Sequence, residues 1–162
     1  MNDKQDIINI IVVSLDEKFC NSVSSSLASK LDMYYANCKD LIEYDLIDPK
    51  DVLDKCGVEY LRKREKGVIE NCASYQNTII AINYDLFKDY FQLFDKSVII
   101  YLFVPKEKIS DTINNIVFEK RDKFLTDNSD IKIYIDKKFK INTVNKIIER
   151  LGEFLWILLI KL

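Results

Sequence analysis

The sequence has no histidine, only three glycines and only two prolines among its 162 residues. Without histidine there is no imidazole general base and no Ser-His or Cys-His nucleophilic pair, so any catalysis would depend on carboxylates, Lys, Arg or Tyr. The four cysteines, which contain no C-x-x-C pair, are Cys20, Cys38, Cys56 and Cys72. This spacing, with no histidine to complete a ligand set, predicts reduced thiols and no metal site.

Neither sign of charge is in excess, because 24 basic and 26 acidic side chains give a net charge of −2. A chain so balanced does not attract a nucleic-acid backbone by charge alone, so no nucleic-acid partner is expected. The first residues, 1–6, lack the basic-then-apolar order of a secretory signal. No apolar run reaches the roughly twenty residues that span a bilayer. We therefore expect a cytoplasmic protein without a transmembrane segment, folded as a single domain over residues 1–162.

Short apolar runs alternate with amphipathic segments along the chain. The predicted strands are 7–13, 33–37, 78–82, 97–104 and 131–135. The predicted helices are 23–31, a short one near 41–47, another bracketed by Asp48 and Gly57, then 59–71, 86–94, 109–117 and 143–161. This alternation predicts an α/β fold with three α/β/α layers around a mostly parallel five-stranded sheet.

Three segments fall outside this regular pattern. Residues 14–22 are expected to form a polar turn before a helix that Asn21 or Ser22 caps. Residues 119–130 are polar and charged with little periodicity, which predicts a flexible connection. Residues 153–162 extend the last helix and are apolar on every side from Phe154 to Ile160. This tail is too short to cross a membrane, so it meets a partner protein, a membrane surface or a second copy of the chain, or it folds back onto the core. Of these we expect homo-oligomerisation.

Four segments carry a resemblance to a known family. They are 27–33 (LASKLDM), 57–65 (GVEYLRKRE), 78–81 (TIIA) and 98–102 (VIIYL). In sequence and in order they resemble the helix after the P-loop, the G-E-x-x-F-R-x-x-E segment and two core strands of shikimate kinase. That family has the nucleoside-monophosphate-kinase-like P-loop fold, and the resemblance covers about residues 7–151. It implies that residues 119–130 correspond to a shortened lid, with Arg121 as its only arginine.

The resemblance places the phosphate-binding motif G-x-x-G-x-G-K-S/T on residues 14–22. The positions of this vestigial phosphate loop are Ser14, Glu17, Lys18, Phe19, Cys20, Asn21 and Ser22. The motif's glycines, lysine and magnesium-binding hydroxyl are all replaced, and Asp16 and Glu17 add negative charge where a triphosphate would lie. The alternative is an ordinary polar strand-to-helix turn. Cys20 is either a thiolate favoured by the helix dipole or a buried inert thiol.

The substrate site of the family is also altered. The D-x-D motif falls on Asn37 and Lys39, and the triple glycine falls on Asn83, Tyr84 and Asp85. Arg62 matches the arginine that the family uses for the substrate carboxylate, and Glu65 matches its acidic neighbour. For Arg62 the alternative is a surface arginine paired with Glu59 or Glu65.

Two functions remain open. The first is a degenerate shikimate-kinase-like protein with no phosphotransferase activity, no catalytic residue and no cofactor, which serves as a binding or structural partner. The second is an active ATP-dependent small-molecule kinase in which Lys18, Arg62 and Arg121 neutralise charge and ATP and Mg²⁺ are cofactors. Phosphoryl transfer depends almost wholly on positioned cations and backbone donors, so their replacement favours the first function.

Overall fold

The computed structural model describes residues 9–109 and 111–160. Its strands are β1 (Ile10–Ser14), β2 (Tyr34–Asn37), β3 (Thr78–Ile82), β4 (Val98–Phe103) and β5 (Ile131–Tyr134). They form one sheet in the order β2-β3-β1-β4-β5, and every neighbouring pair is parallel. The predicted α/β fold with a five-stranded parallel sheet is thus confirmed. The first two residues of the predicted strand 7–13 lie outside the described residues.

Seven α-helices occur in the described part of the chain. They are α1 (Glu17–Leu31), α2 (Cys38–Leu46), α3 (Pro49–Cys56), α4 (Val58–Ala73), α5 (Tyr84–Tyr90), α6 (Asn115–Asp127) and α7 (Lys140–Ile160). Short 3₁₀ turns follow α5 at Phe91–Phe94 and follow β4 at Lys106–Lys108. The short helix expected between Asp48 and Gly57 is present: Asp48 caps α3, Pro49 occupies its first turn, and Gly57 ends it with a φ of 87°.

The sheet separates two apolar cores. Alternate residues of a strand point to opposite faces, so Ile10 and Val12 of β1 pack in one core while Ile11 and Val13 pack in the other. Helices α1 and α7 cover the first face, and α2, α4, α5 and α6 cover the second. The predicted covering of both sheet faces explains why the central strands are apolar without interruption.

Helix α1 begins earlier than the sequence predicted. The expected polar turn at 14–22 is wrong, because the strand ends at Ser14 and the helix begins at Glu17. Its N-cap is Asp16, not Asn21 or Ser22, and the Asp16 side chain accepts a hydrogen bond from the Phe19 amide. A good capping residue followed by a segment without glycine favours an early start of the helix.

The predicted flexible connection at 119–130 is also wrong, because residues 119–127 belong to α6. The helix expected from residue 109 begins instead at Asn115, where Asn114 caps it. Only a narrow apolar stripe, including Leu125, faces the sheet. The charged residues around that stripe conceal its helical periodicity in the sequence.

The C-terminal extension is helical as far as Ile160, and residues 161–162 lie outside the described part. Phe154 packs partly against the core beneath α7. The next three side chains are exposed: Leu155 by 39%, Trp156 by 64% and Ile157 by 51%. Within the described residues, no helix has the length and apolarity needed to cross a membrane.

Candidate functional site

The connection between β1 and α1 lies at the centre of the sheet and contains only Leu15 and Asp16. Because all the strands are parallel, their carboxyl ends meet at one edge, where ligands of open α/β sheets bind. The N-terminus of α1 points its free backbone amides to this edge, which is a natural place for an anion. In this structure the anionic group at the N-terminus of α1 is the side chain of Asp16.

The Asp16 carboxylate is almost completely buried and has two partners. Its Oδ1 accepts from the Phe19 amide at 3.2 Å, and its Oδ2 lies 2.9 Å from the Lys138 ammonium. The side chain is 2% exposed, whereas that of Lys138 is 33% exposed. Ser14 completes the arrangement, because its hydroxyl donates to the Leu102 carbonyl at 2.7 Å and accepts from the Asp16 amide. A capped helix, a buried carboxylate and a partly buried ammonium therefore form one closed unit.

The other residues of the predicted phosphate loop lie on α1. Lys18 is exposed and forms no ion pair with any described residue. Cys20 faces inward and contacts the Val12 carbonyl, at 3.4 Å from its sulfur. Burial raises the pKa of the Cys20 thiol to about 12. The structure therefore shows Cys20 buried, and the raised pKa disfavours the thiolate.

Two of the predicted substrate residues serve as helix caps. Asn37 is the last residue of β2 and accepts from the Asp40 amide, and Asn83 follows β3 and accepts from the Leu86 amide. The structure also connects the phosphate side to the substrate side, because Lys39 lies 3.3 Å from Glu17. This exposed ion pair crosses from α2 to α1. The carboxyl ends of β1, β2 and β3 are therefore closed by contacts within the chain.

Tyr84 and Arg121 are brought together at the same edge of the sheet. The Arg121 guanidinium lies 4.7 Å from the centre of the Tyr84 ring, which packs edge-on against Phe124. Arg121 also lines a cavity of about 330 Å³ together with Leu15 of the β1–α1 connection. Asp85 lies in the first turn of α5, directly after Tyr84. The predicted lid arginine is thus fixed on a helix, close to the predicted phosphate loop.

Arg62 and Glu65 lie on α4, near α5. The Tyr90 hydroxyl lies 3.4 Å from the Arg62 carbonyl and 3.4 Å from a Glu65 carboxylate oxygen. Partial burial raises the pKa of Glu65, and hydrogen bonding to Tyr90 opposes that rise. Arg62 makes no ion pair in the described residues, so the expected pairing with Glu59 or Glu65 is absent.

Comparison with known proteins gives structural matches only, because neither a family model nor a curated protein matches the sequence. Shikimate kinase from Aquifex aeolicus vf5 matches with a TM-score of 0.70 and 17% identity, covering 90% of this chain and 96% of that one. Shikimate kinase from Acinetobacter baumannii, in complex with shikimate, matches with a TM-score of 0.70 and 17% identity over 91% and 94%. A gluconokinase from Sinorhizobium meliloti 1021 matches with a TM-score of 0.53 and 10% identity over 95% and 98%.

The chain has the P-loop kinase fold. In this fold the loop between the first strand and first helix carries the phosphate-binding motif. Ser14, Asn37 and Asn83, which the resemblance assigns to the phosphate and substrate sites, all lie at strand ends on one edge of the sheet. At these levels of identity the likeness extends to the fold and not to the activity.

Two lysines that form ion pairs within this fold were not identified from the sequence. Lys138, the partner of Asp16, is 122 positions away from it. Lys132 lies 3.3 Å from the Asp122 carboxylate, which also accepts from the Tyr101 hydroxyl at 2.7 Å. For Lys132, the sequence showed only that it lies in the alternating pattern of an edge strand, Ile131–Tyr134. For Lys138, no sequence pattern indicated an ion pair. Among the side chains described, no group of His, Cys, Asp or Glu is arranged to hold a metal ion.

Proposed function

We propose that this chain is a shikimate-kinase-like protein that has lost phosphoryl transfer and acts as a binding or structural partner. The observation that supports this best is the position of Asp16. Its carboxylate caps α1 and pairs with Lys138, where a P-loop would present free amides and an ammonium to phosphate. In this proposal an internal carboxylate replaces the bound anion, and the segment from Ser14 to Ser22 is a vestige of the motif.

The length of the β1–α1 connection supports the same proposal. A P-loop holds phosphate with successive amides of a glycine-rich bend, and a connection of Leu15 and Asp16 has no room for such a bend. A triphosphate at this edge would meet the carboxylates of Asp16 and Glu17. Like charges a few ångströms apart in a partly desolvated site repel by several kcal/mol, on the order of the binding energy itself.

The remaining candidate residues fit a structural role. Asn37 and Asn83 act as helix caps, and Lys39 is engaged by Glu17. Tyr84 stands where the resemblance places a glycine, and its ring contacts the Arg121 guanidinium. The four cysteines are free, which fits the reducing cytoplasm. We infer that these positions now stabilise the fold.

Isothermal titration with MgATP, and separately with shikimate, tests the proposal. We expect no saturable heat for either ligand up to millimolar concentration, and no ADP release in a coupled assay with both present. Micromolar MgATP binding, or ADP release that depends on shikimate, would overturn the proposal. The protein would then be the alternative, an active kinase in which Lys18, Arg62 and Arg121 neutralise the phosphates.

The exposed end of α7 adds a second part to the proposal, which is that the chain forms a homo-oligomer. Leu155, Trp156 and Ile157 are consecutive, so their side chains lie on different sides of the helix and one neighbouring element of the same domain cannot cover all of them. A second copy of the chain supplies the same surface in a self-complementary arrangement.

A further inference from the structure

A second cleft lies between α2 and α4, and its lining includes no residue of the strand-end site formed by Ser14, Asp16, Asn37 and Asn83 at the carboxyl ends of the strands. Its volume is about 550 Å³, which is within the range of small-molecule sites. Three tyrosines, Tyr44, Tyr60 and Tyr75, line it together with Lys63 and Gly67. Neither the resemblance to shikimate kinase nor the proposed loss of phosphoryl transfer accounts for this combination of rings, positive charge and bare backbone.

The cleft and the predicted substrate-anion residues, Arg62 and Glu65, lie on different faces of α4, although the exposed Lys63 also borders the cavity next to Arg62 and Tyr90. Tyr60, Lys63 and Gly67 recur at spacings of three and four, so they share one face of the helix. Arg62 and Glu65 fall on the opposite face by the same geometry. Tyr75 lies near the amino end of β1, because its carbonyl accepts from the Asn9 side chain just before that strand. A ligand in the cleft would therefore contact no residue of the β1–α1 connection.

The charges of the cleft leave one cation available. Arg64 is engaged by Asp45, with its Nη2 2.9 Å from the Asp45 Oδ2. Lys63 makes no ion pair with any residue for which the structure gives a position, and its side chain is exposed. Because the Arg64–Asp45 pair is neutral as a unit, Lys63 sets a positive potential in the cleft. This favours an anionic ligand.

The aromatic side chains of the cleft are presented to solvent. Tyr44 is 86% exposed and Tyr60 is 46% exposed. A tyrosine ring offers a large, rigid face at low entropic cost, and planar groups stack on such a face. Two tyrosines beside an available lysine therefore suit a ligand that joins a planar ring to an anionic group.

Gly67 lies inside α4 although glycine is a poor residue for a helix interior. A Cβ placed there would meet no atom within 4 Å, so packing in the free protein does not require glycine. Its effect is to leave bare helix backbone in the lining of the cleft. Any larger side chain at this position would project into the space between α2 and α4.

We propose that this cleft binds a small organic anion that carries a planar ring. Lys63 pairs with the anionic group, the rings of Tyr44 and Tyr60 contact the ligand ring, and Gly67 provides the room for it. This proposal is independent of the proposed function, because no residue of the cleft contributes to the β1–α1 connection.

The test uses phenyl phosphate as the probe and amide NMR as the readout. The chain has only three glycines, Gly57, Gly67 and Gly152, so their amide signals are readily assigned. We expect phenyl phosphate to shift the Gly67 signal saturably and to leave the Gly152 signal in place. Benzyl alcohol, which has the ring alone, and inorganic phosphate, which has the charge alone, are expected to bind at least about tenfold more weakly.

Matched variants separate the parts of the proposal. Calorimetric titration with phenyl phosphate measures the variants, because those at position 67 lack the Gly67 signal. Gly67→Leu is expected to abolish the binding, whereas Gly67→Ala, whose Cβ has free space, is expected to retain it. Lys63→Gln is expected to weaken binding about tenfold, and Lys123→Gln, which removes an equal charge on α6, is expected to have no effect. Thermal unfolding of each variant shows that it is folded.

Three results would overturn the proposal. The first is the absence of any Gly67 shift at millimolar phenyl phosphate. The second is equal binding of inorganic phosphate, and the third is unchanged binding to Gly67→Leu. None of these results bears on whether MgATP binds at α1, so failure here leaves the proposed function untouched, and the converse also holds.

Discussion

At the scale of single residues, Asp16 has the most partners at the strand-end site. One carboxylate oxygen accepts from the Phe19 amide and the other pairs with Lys138. The sequence could indicate that a carboxylate follows β1, but not that it faces inward. That orientation depends on Lys138, which is far away in the sequence and close only after β5 and α7 have packed.

We expect Asp16→Ala to lower the free energy of unfolding by about 2 kcal/mol, because it removes the α1 cap and leaves Lys138 without a partner. Asp16→Asn keeps an acceptor for the Phe19 amide and should cost about 1 kcal/mol. Urea unfolding measures both values. Asn21→Ala is the matched control, because the sequence alone proposed Asn21 as the cap. A larger loss for Asn21→Ala than for Asp16→Ala would mean that α1 begins later than described.

At the scale of elements, the strands were easier to predict than helix α6. The strands β1, β3 and β4 are short and almost wholly apolar because both faces of the sheet are covered, and such runs are visible in the sequence. Helix α6 shows the opposite situation. It meets the sheet through a few aromatic and aliphatic side chains. Its partners Tyr101 and Lys132 belong to β4 and β5, so a short stretch of sequence around α6 does not reveal the contact.

The contact between α6 and the sheet gives a pH prediction. Burial, with the neighbouring Asp122 carboxylate, raises the pKa of Tyr101 far above its ordinary value near 10. The folded state therefore keeps the Tyr101 proton, while the unfolded chain loses it as the pH rises through about 10. The contribution of Tyr101 to the free energy of unfolding is therefore fully present below about pH 10. Above that pH it should fall by about 1.4 kcal/mol per pH unit.

The variant Tyr101→Phe isolates this contribution. It removes the titrating hydroxyl and leaves Asp122 paired with Lys132. Urea unfolding between pH 9 and 11 should therefore show a shallower loss of stability for Tyr101→Phe than for the native chain. Identical slopes for the two proteins would mean that Tyr101 ionises in the folded state and that the contact with Asp122 is not closed to solvent.

At the scale of the whole molecule, the exposed tail of α7 predicts self-association. We expect the full chain to sediment as a dimer and a chain ending at Gly152 to sediment as a monomer, because the shorter chain lacks the exposed apolar side chains. Trp156 is the only tryptophan in the sequence, so its emission should shift to shorter wavelength as the protein concentration increases. Equal sedimentation of both chains would contradict the proposal.

The order of strands in the sheet has a consequence for biosynthesis. Among the described strands, β1 is synthesised before the others, and it pairs with β3 through contacts such as Ile10 with Ile79 and with β4 through Ile10 with Val98. Its sequence neighbour β2 offers it no pairing. Until β3 and β4 have been synthesised, the apolar β1 therefore lacks both neighbours, and the nascent chain depends on its early helices, or on a chaperone, to avoid aggregation.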